Sequence, residues 1–460
     1  MKIRKVEYAI IGSGTAGLGA YSRIRRKTDN FVIIQHGPYG TTCARVGCMP
    51  SKMLIAAADH AHEMQQAAPF GVHGKPIING TQVFNRIRQD RADKFVGNVL
   101  KQIDKIPTEF KLQGCAKFIS NNQLQVSDDL IIEADKIIIA CGTRPYIPKQ
   151  LTSVENKILT SDTIFEIDNL PDSIAVIGLG VIALELGQSL HRLGVKTSLY
   201  GRTGKIGDLS HPDLQAETLE CLSDELDIYP QGRIVEAWEE NDAVVIAYEQ
   251  HNGSVITKTF DVILVAAGRV SNADRMNIHN TDIQLDKAGT PHFDPQTMQC
   301  GNLPIYIAGD ATNDLPLWHE AYDEGRIAGN SALSYPNAEK AQRKTPLGIY
   351  FTDPQMAIVG KSFQQLRNTE IVIGDVPFNS PRHEVWKKTQ GRIQVYLDAY
   401  SGEILGAELL GYQAEHLAHL LALAITHRMT ADQFLEMPIY HPSAEEVLKK
   451  ALNNARFQLK

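Results

Sequence analysis

Val6-Glu7-Tyr8-Ala9-Ile10-Ile11-Gly12-Ser13-Gly14-Thr15-Ala16-Gly17 is the stretch that decides the fold. Val6 to Ile11 reads as a short buried strand, the glycines as a turn, Leu18 to Arg26 as a helix, and Phe31 to Ile34 as the next apolar strand. Strand, glycine loop, helix and strand make a dinucleotide-binding unit. Gly12 permits the tight turn, Gly14 lets backbone approach a pyrophosphate, and Gly17 lets helix and strand pack closely. The helix N-terminus then offers N–H groups to the phosphates.

Moving outward, the same unit recurs. Ser173 to Ile177 is a strand, Gly178-Leu179-Gly180-Val181-Ile182-Ala183 the loop, Leu184 to Leu193 a helix, and Thr197 to Tyr200 a second strand. Ala183 fills the third glycine position, which the fingerprint allows. Two such units argue for two cofactors, or for one cofactor and one mobile nucleotide substrate. Between them, Ile137 to Pro145 is an apolar strand ending in a turn, echoed by Val262 to Arg269. Gly289 to Cys300 is turn-rich. Pro304 to Asp310 is a strand with an acid at its carboxyl end, where open α/β sheets bind ligands; the lesser alternative for Asp310 is a cap for a following helix. From about Thr345 the texture changes. Ile358 to Gly360, Ile371 to Val376, Arg392 to Asp398 and Ile404 to Leu410 look like strands of a smaller α+β region, with a helix over Glu415 to Thr426. His441 and Pro442 lead into a last helix, with Pro442 suited to its N-terminal turn.

A chain of 460 residues is long enough for about three domains. Its net charge of -7 gives no general attraction for nucleic acid or anionic membrane. No apolar run reaches the roughly 18 residues of a membrane span; Leu417 to Ile425 is short and holds His419. The first apolar run leads into a phosphate loop rather than a cleavage site, so a cytoplasmic location is expected. Six cysteines are no disulfide scaffold in a chain of this length. Cys115, Cys141, Cys221 and Cys300 are isolated and read as buried thiols.

Cys43 and Cys48 differ, because Thr41-Thr42-Cys43-Ala44-Arg45-Val46-Gly47-Cys48-Met49-Pro50-Ser51-Lys52 is rich in Gly, Thr and Pro. On a regular helix such a pair stands about 140° apart around the axis and about 7.5 Å along it. A disulfide wants Cα atoms within about 7 Å. The pair is therefore expected in an irregular turn, which Gly47 makes cheap. A helix starting there would favour a thiolate. No second Cys or His pair follows at zinc-like spacing, so no metal site is expected.

These motifs together resemble the class I FAD-dependent pyridine nucleotide-disulfide oxidoreductases, most of all the dihydrolipoyl dehydrogenase branch, over nearly the whole chain. The Cys43–Cys48 segment with Pro50, Ser51 and Lys52 is the most specific element. Ala140 to Pro145, Gly178 to Glu185, Gly268-Arg269 and Ala308-Gly309-Asp310 follow in family order. Phe351-Thr352-Asp353-Pro354 resembles the opening of the dimerisation domain, and His441-Pro442 with Glu446 the terminal His-Pro-x-x-x-Glu pattern. The resemblance implies an α/β fold with two Rossmann-like domains and a C-terminal α+β dimerisation domain. It divides the chain into an FAD-binding part (1–150), an NAD(P)-binding domain (151–270), a second FAD-binding or central part (271–344) and an interface domain (345–460).

It further implies that electrons pass between a dithiol substrate, the disulfide, FAD and NAD(P). Cys43 would exchange with substrate and Cys48 would stand next to the flavin. His441 would act as base, oriented by Glu446, and would reach the cysteines of the neighbouring subunit, making the homodimer a requirement. Lys52 would lie near the flavin, paired with Glu185. Gly12, Gly14, Gly17, Gln35, Thr42, Gly142 and Asp310 would hold FAD. Gly178, Gly180, Ala183, Arg202, Gly268 and Arg269 fall with the nucleotide-binding segments, and Val181 stands where reductases often carry a tyrosine lid.

Three positions depart from the family pattern. The ribose-binding acid of the first unit is replaced by Gln35, which can bond a hydroxyl only without charge assistance. In the second unit Tyr200 stands there, followed by Gly201, Arg202 and nearby Lys205, which leans toward a 2′-phosphate and NADP. Ile439-Tyr440 precedes His441 where an additional histidine is usual. An NADPH-dependent disulfide reductase of the glutathione reductase kind, a redox-inactive FAD-binding assembly protein and a metal-ion reductase are the alternatives; the last lacks an extra C-terminal cysteine pair.

Overall fold

The computed structural model describes residues 2–460. The chain forms two compact units, each assembled from separated stretches.

The first unit comprises the chain up to Ser51, Phe84–Tyr146 and Gly268–Arg343. Its sheet is built on β1 (Lys2–Ile11), β2 (Phe31–Gln35) and the long strand Leu130–Ile139, with β1 between the other two and parallel to both. The carboxyl half of Leu130–Ile139 also pairs in parallel with Ile305–Ile307, while its other half pairs with an antiparallel strand, Gln123–Ser127. Burial on both faces explains the continuous Ile and Val runs. Ala9, Ile11, Val32, Ile34, Ile137 and Ile139 pack on one face, and Tyr8, Ile10, Phe31, Ile33 and Ile138 on the other. On that second face α1 (Thr15–Ile24) meets the helix Trp318–Ser334. The contact is close because Gly325 faces the Ala16 backbone, where a Cβ would lie 2.0 Å from its carbonyl oxygen.

The second unit comprises Lys52–Val83, Ile147–Ala267 and Lys344–Lys460. One sheet is wholly parallel, in the order Asp227–Tyr229, Lys196–Tyr200, Ser173–Ile177, Val262–Val265, Ile158–Thr160. An antiparallel meander, Arg233–Glu240, Ala243–Glu249 and Val255–Phe260, shares a core with it through Tyr200, Val244, Ile246 and Tyr248. The C-terminal part is a five-stranded antiparallel sheet covered by Ala414–Thr426 and Glu446–Arg456.

Three local expectations are corrected. Of the four isolated cysteines expected as buried thiols, Cys115 is exposed, Cys141 and Cys221 are half-buried and Cys300 is buried, Cys115 following a strand end, Lys111–Gln113, at the surface. The last helix begins at Glu446, four residues beyond Pro442, because the Ser443 N–H donates to the Glu446 carboxylate at 3.2 Å and folds the intervening chain into a separate turn. Asp310 does not cap Trp318–Ser334; it lies inside a short 3₁₀ turn, Gly309–Thr312.

Candidate functional site

The two glycine loops are nearly superimposable in their bonding. Gly12 has φ +105° and a Cβ there would lie 2.2 Å from the Ala140 carbonyl oxygen; Gly178 has φ +126° and the same Cβ would lie 2.3 Å from the Ala266 carbonyl oxygen. Only glycine tolerates either place. The Gly12 N–H donates to Ile34 O and the Gly178 N–H to Tyr200 O, both at 2.8 Å. A Cβ on Gly17 would come 1.9 Å from Gly12 O, whereas Ala183 is accommodated and fully buried. Gly14 and Gly180 have nothing within 4 Å of a Cβ, and each precedes a helix that no side chain caps. Each helix therefore presents unsatisfied N–H groups at an open edge, which is the chemistry a pyrophosphate needs. The residues present fit a dinucleotide at both loops.

Beside the first loop, Gln35 is already engaged. Its side-chain oxygen accepts from the Ser13 N–H and hydroxyl, both at 2.8 Å, and its amide nitrogen donates to His36 O at 2.7 Å. Asp310 stands at the end of Ile305–Ile307, and burial raises its pKa against the opposing influence of Arg269. Gly142 and Gly268 both adopt positive φ, and the Arg269 guanidinium donates to the Thr143 hydroxyl at 2.8 Å and to Thr143 O at 3.0 Å.

The cysteines sit on either side of a helix break. α2 (Thr42–Arg45) carries Cys43, and α3 (Cys48–Gln66) begins at Cys48. Thr41 caps α2, its hydroxyl accepting from the Ala44 N–H at 3.2 Å. The Val46 and Gly47 N–H groups both return to Thr42 O, at 2.9 and 2.8 Å, and wind the chain tightly between the cysteines. A Cβ on Gly47 would stand 3.3 Å from the Cys43 Cα. Cys43 is half-buried and Cys48 exposed. One turn further along α3, Lys52 Nζ lies 2.6 Å from Glu185 Oε2 and 4.3 Å from the Phe351 ring centroid. The other Glu185 oxygen accepts from the Phe351 N–H at 2.9 Å.

Near the C-terminus, His441 Nδ1 lies 2.9 Å from Glu446 Oε1. That hydrogen bond, with help from the Ser443 N–H, holds the Glu446 carboxyl below the usual carboxylate range. His441 and its neighbour Tyr440 are exposed.

In the second nucleotide unit the register corrects the sequence reading: Tyr200 pairs with Ile177 as Ile34 pairs with Ile11, so Gly201, not Tyr200, stands in the place of Gln35. Tyr200 is buried. It stacks on Tyr229 at 5.1 Å and meets Tyr248 edge-on at 4.8 Å, so its ring belongs to the core. Arg202 is exposed and lines a cavity of about 240 Å³ with Thr203, Gln231 and Arg233.

Sequence reading missed Glu324 and Arg343. Glu324 is buried, accepts from the Gly309 N–H at 2.8 Å beside Asp310, and pairs with Arg343 at 2.8 Å. Burial pushes its pKa up to about 7. No local motif marks it, since its partners lie 15 and 19 residues away. Among the described residues no group of His, Cys, Asp and Glu could hold a metal ion, and no helix is long and apolar enough to cross a membrane.

Two nucleotide-type glycine loops and a cysteine pair at a helix break define a nucleotide-dependent disulfide oxidoreductase. The sequence comparisons narrow this. A profile of the pyridine nucleotide-disulphide oxidoreductases matches residues 6–325, and a profile of their dimerisation domain matches residues 347–452. The chain belongs to this family, in its class I. Family membership implies oxidoreductase activity with FAD and NAD(P), and the dimerisation domain supports a homodimer. A dihydrolipoyl dehydrogenase of Haloferax volcanii is 28% identical over 98% of this chain and 96% of that protein. A mercuric reductase of Staphylococcus aureus is 28% identical over 96% of this chain and 81% of that protein. Among solved structures, the HOCl-induced flavoprotein disulfide reductase RclA from Escherichia coli superposes with a TM-score of 0.81, at 21% identity, over 99% of this chain and 100% of that one. That likeness concerns the fold.

Proposed function

We propose that the protein transfers two electrons between a dithiol/disulfide substrate and NAD(P), in the manner of a dihydrolipoyl dehydrogenase. The observation that carries this is the Cys43–Cys48 pair across the break between α2 and α3, with the Lys52–Glu185 ion pair one turn further on. FAD would occupy the loop of Gly12, Gly14 and Gly17, with Gln35, Thr42, Gly142 and Asp310, and would supply two-electron exchange between the disulfide and the nicotinamide. The second loop, with Arg202, would take NAD(P). The FAD-binding parts are assigned to 1–150 and 271–344, the NAD(P) domain to 151–270, and the interface domain to 345–460.

The chain's own groups then divide the work. A substrate thiolate attacks the Cys43 sulfur, forming a new S–S bond as the Cys43–Cys48 bond breaks and Cys48 leaves as thiolate. The partner subunit's His441 removes the proton from the second substrate thiol. Glu446 engages Nδ1, which leaves Nε2 for that transfer. The second substrate sulfur displaces Cys43 and leaves as a disulfide. The attacking thiolate has already given its proton to solvent and the second proton goes to His441 of the partner subunit; the substrate loses two electrons, which the cysteine pair gains as the Cys43 and Cys48 thiolates. Cys48 begins a helix, where N–H groups favour a thiolate.

Anaerobic reduction of the flavin-loaded protein tests the assignment. A long-wavelength band from a thiolate beside the flavin appears at two-electron reduction and is absent in Cys48→Ser. A reduced protein that shows the same spectrum in both forms rejects the cysteine roles.

A second reading, an NADPH-dependent reductase of a disulfide, is favoured by the exposed Arg202 just beyond a strand end, Tyr200-Gly201, that offers no carboxylate; the Glu249 carboxylate lining the same cavity is paired with Arg233. NADPH-driven disulfide reduction without oxidation of dihydrolipoamide would select it.

A further inference from the structure

His383 is a buried histidine that the proposed reaction does not use. It lies on the short helix Pro381–Trp386, with its ring edge-on to Phe378 at 5.0 Å. Its Nδ1 is 2.6 Å from the Ser380 hydroxyl, and that hydroxyl is 3.3 Å from the Ser443 carbonyl oxygen. The carbonyl can only accept, so the single Ser380 proton points there, and Nδ1–H donates to Ser380 Oγ. On the other side of the Ser443 Cα, the Ser443 N–H donates to Glu446 Oε2 at 3.2 Å, and Glu446 Oε1 holds His441 Nδ1 at 2.9 Å. Two runs of hydrogen bonds, one from the fully buried imidazole and one to the exposed imidazole, thus meet on the backbone of a single residue, Ser443. Ser380 occupies the N-cap position of its helix, where its hydroxyl would ordinarily satisfy a backbone N–H; it makes no such bond and spends itself on the first run instead.

We propose that His383 is a positioning residue: through Ser380 it anchors the Ser443 backbone, whose N–H fixes the Glu446 carboxylate that orients His441. The inference rests on the reading of His441 as the base. Burial keeps His383 below its ordinary pKa, so it remains a neutral donor at Nδ1; the charged groups facing it are Lys450, Glu384 and Glu446. Lys450 is itself tied to Asn379, beside Ser380, at 3.1 Å. Without the His383 donor, Ser380 is free to turn back and cap its own helix. The Ser443 turn then loosens, and Glu446 loses a donor that stabilises its charged form.

The test uses the flavin-loaded full-length protein, with dithiothreitol as the dithiol, and follows flavin bleaching between pH 3 and 9. His383→Ala and Ser380→Ala each slow bleaching about tenfold, a fraction of what a general base supplies. They also move the acid limb of the pH profile upward, because the Glu446 carboxyl is protonated more readily. His383→Asn, whose side-chain N–H replaces Nδ1–H, restores most of the rate and the limb. A wild-type rate and limb in His383→Ala overturn the proposal, as does a rate loss that leaves the limb in place. If His383→Ala fails to retain flavin, Ser380→Ala and His383→Asn carry the same measurement. His441→Ala separates the two levels. An unaffected rate there rejects the base itself, whereas a slow His441→Ala beside a normal His383→Ala rejects only the positioning role.

Discussion

The two glycine loops share a backbone and differ at one strand end. Gly12 and Gly178 make the same turn against Ala140 and Ala266, and their N–H groups donate to Ile34 O and Tyr200 O of the neighbouring strands at the same distance. Beyond that the units part. Gln35 is half-buried, and its amide is bonded to Ser13 of the loop it adjoins. In the second unit Gly201 holds that place; Tyr200 before it turns into a tyrosine cluster between a parallel sheet and an antiparallel meander, and Arg202 after it is exposed, as are Thr203 and Lys205. Backbone geometry around a pyrophosphate tolerates almost no variation, because phosphate oxygens are read by main-chain N–H groups. The residue at the strand end meets only a sugar edge, and the local packing can claim it. The comparison teaches that cofactor class is written in the loops and nucleotide preference in what the core leaves exposed.

The largest effect that would break this symmetry comes from Gly12→Ala set against Gly178→Ala. Each puts a Cβ within 2.3 Å of a carbonyl oxygen at a left-handed φ, a local cost of about 3 kcal/mol. Gly12→Ala is expected to purify with little flavin. Gly178→Ala is expected to keep its flavin and lose reduction by NADPH and NADH. Bound flavin per chain and anaerobic bleaching are the measurements, and equal flavin loss in both variants would dissolve the assignment of one loop to each nucleotide. A smaller effect is expected from Arg202→Ala. Losing one charge-assisted bond to a 2′-phosphate lowers kcat/KM for NADPH about tenfold, or about 1.4 kcal/mol, and leaves NADH unchanged. Unaltered discrimination between the nucleotides rejects the role of Arg202.

The smallest effect sharpens the contrast from the other side. The first unit carries a buried carboxyl, Glu324, whose pKa is pushed up to about 7 from 4.5. Between those values the folded protein holds a proton that the unfolded chain releases. This group therefore favours folding most fully below pH 4.5, and its contribution is lost as pH rises through 7. Glu324→Gln stays neutral throughout. Its melting temperature is expected to fall less than the wild type's between pH 5 and 8, by about 2 °C. Parallel melting curves over that range would show that the Arg343 charge keeps Glu324 ionised.

Much of this was legible beforehand because it is encoded locally. Ser173–Ile177, Val262–Val265 and Arg392–Asp398 fall where the apolar runs put them, and Gly47 sits in the break expected between the cysteines. Where reading failed, the deciding contact was distant in sequence. Pro442 looked like a helix start, but the Ser443 N–H is taken by Glu446 and the helix waits until that residue. The meander from Arg233 to Phe260 alternates weakly, and its register comes from packing under Tyr200 and Tyr248. Lys52 and Glu185 were paired through resemblance alone; no spacing rule joins residues 133 apart.

By itself, then, the sequence determined the two nucleotide loops and the cysteine turn, since each depends on glycine conformation; the His441–Glu446 pair, like Lys52–Glu185, came through the resemblance. Only the tertiary structure decided that Gln35 is held by Ser13, that Tyr200 is core, that Glu324 stands behind Gly309, and that His383 backs the Ser443 turn. Those choices follow from burial, which makes every polar group seek a partner wherever the fold, rather than the chain, has placed one.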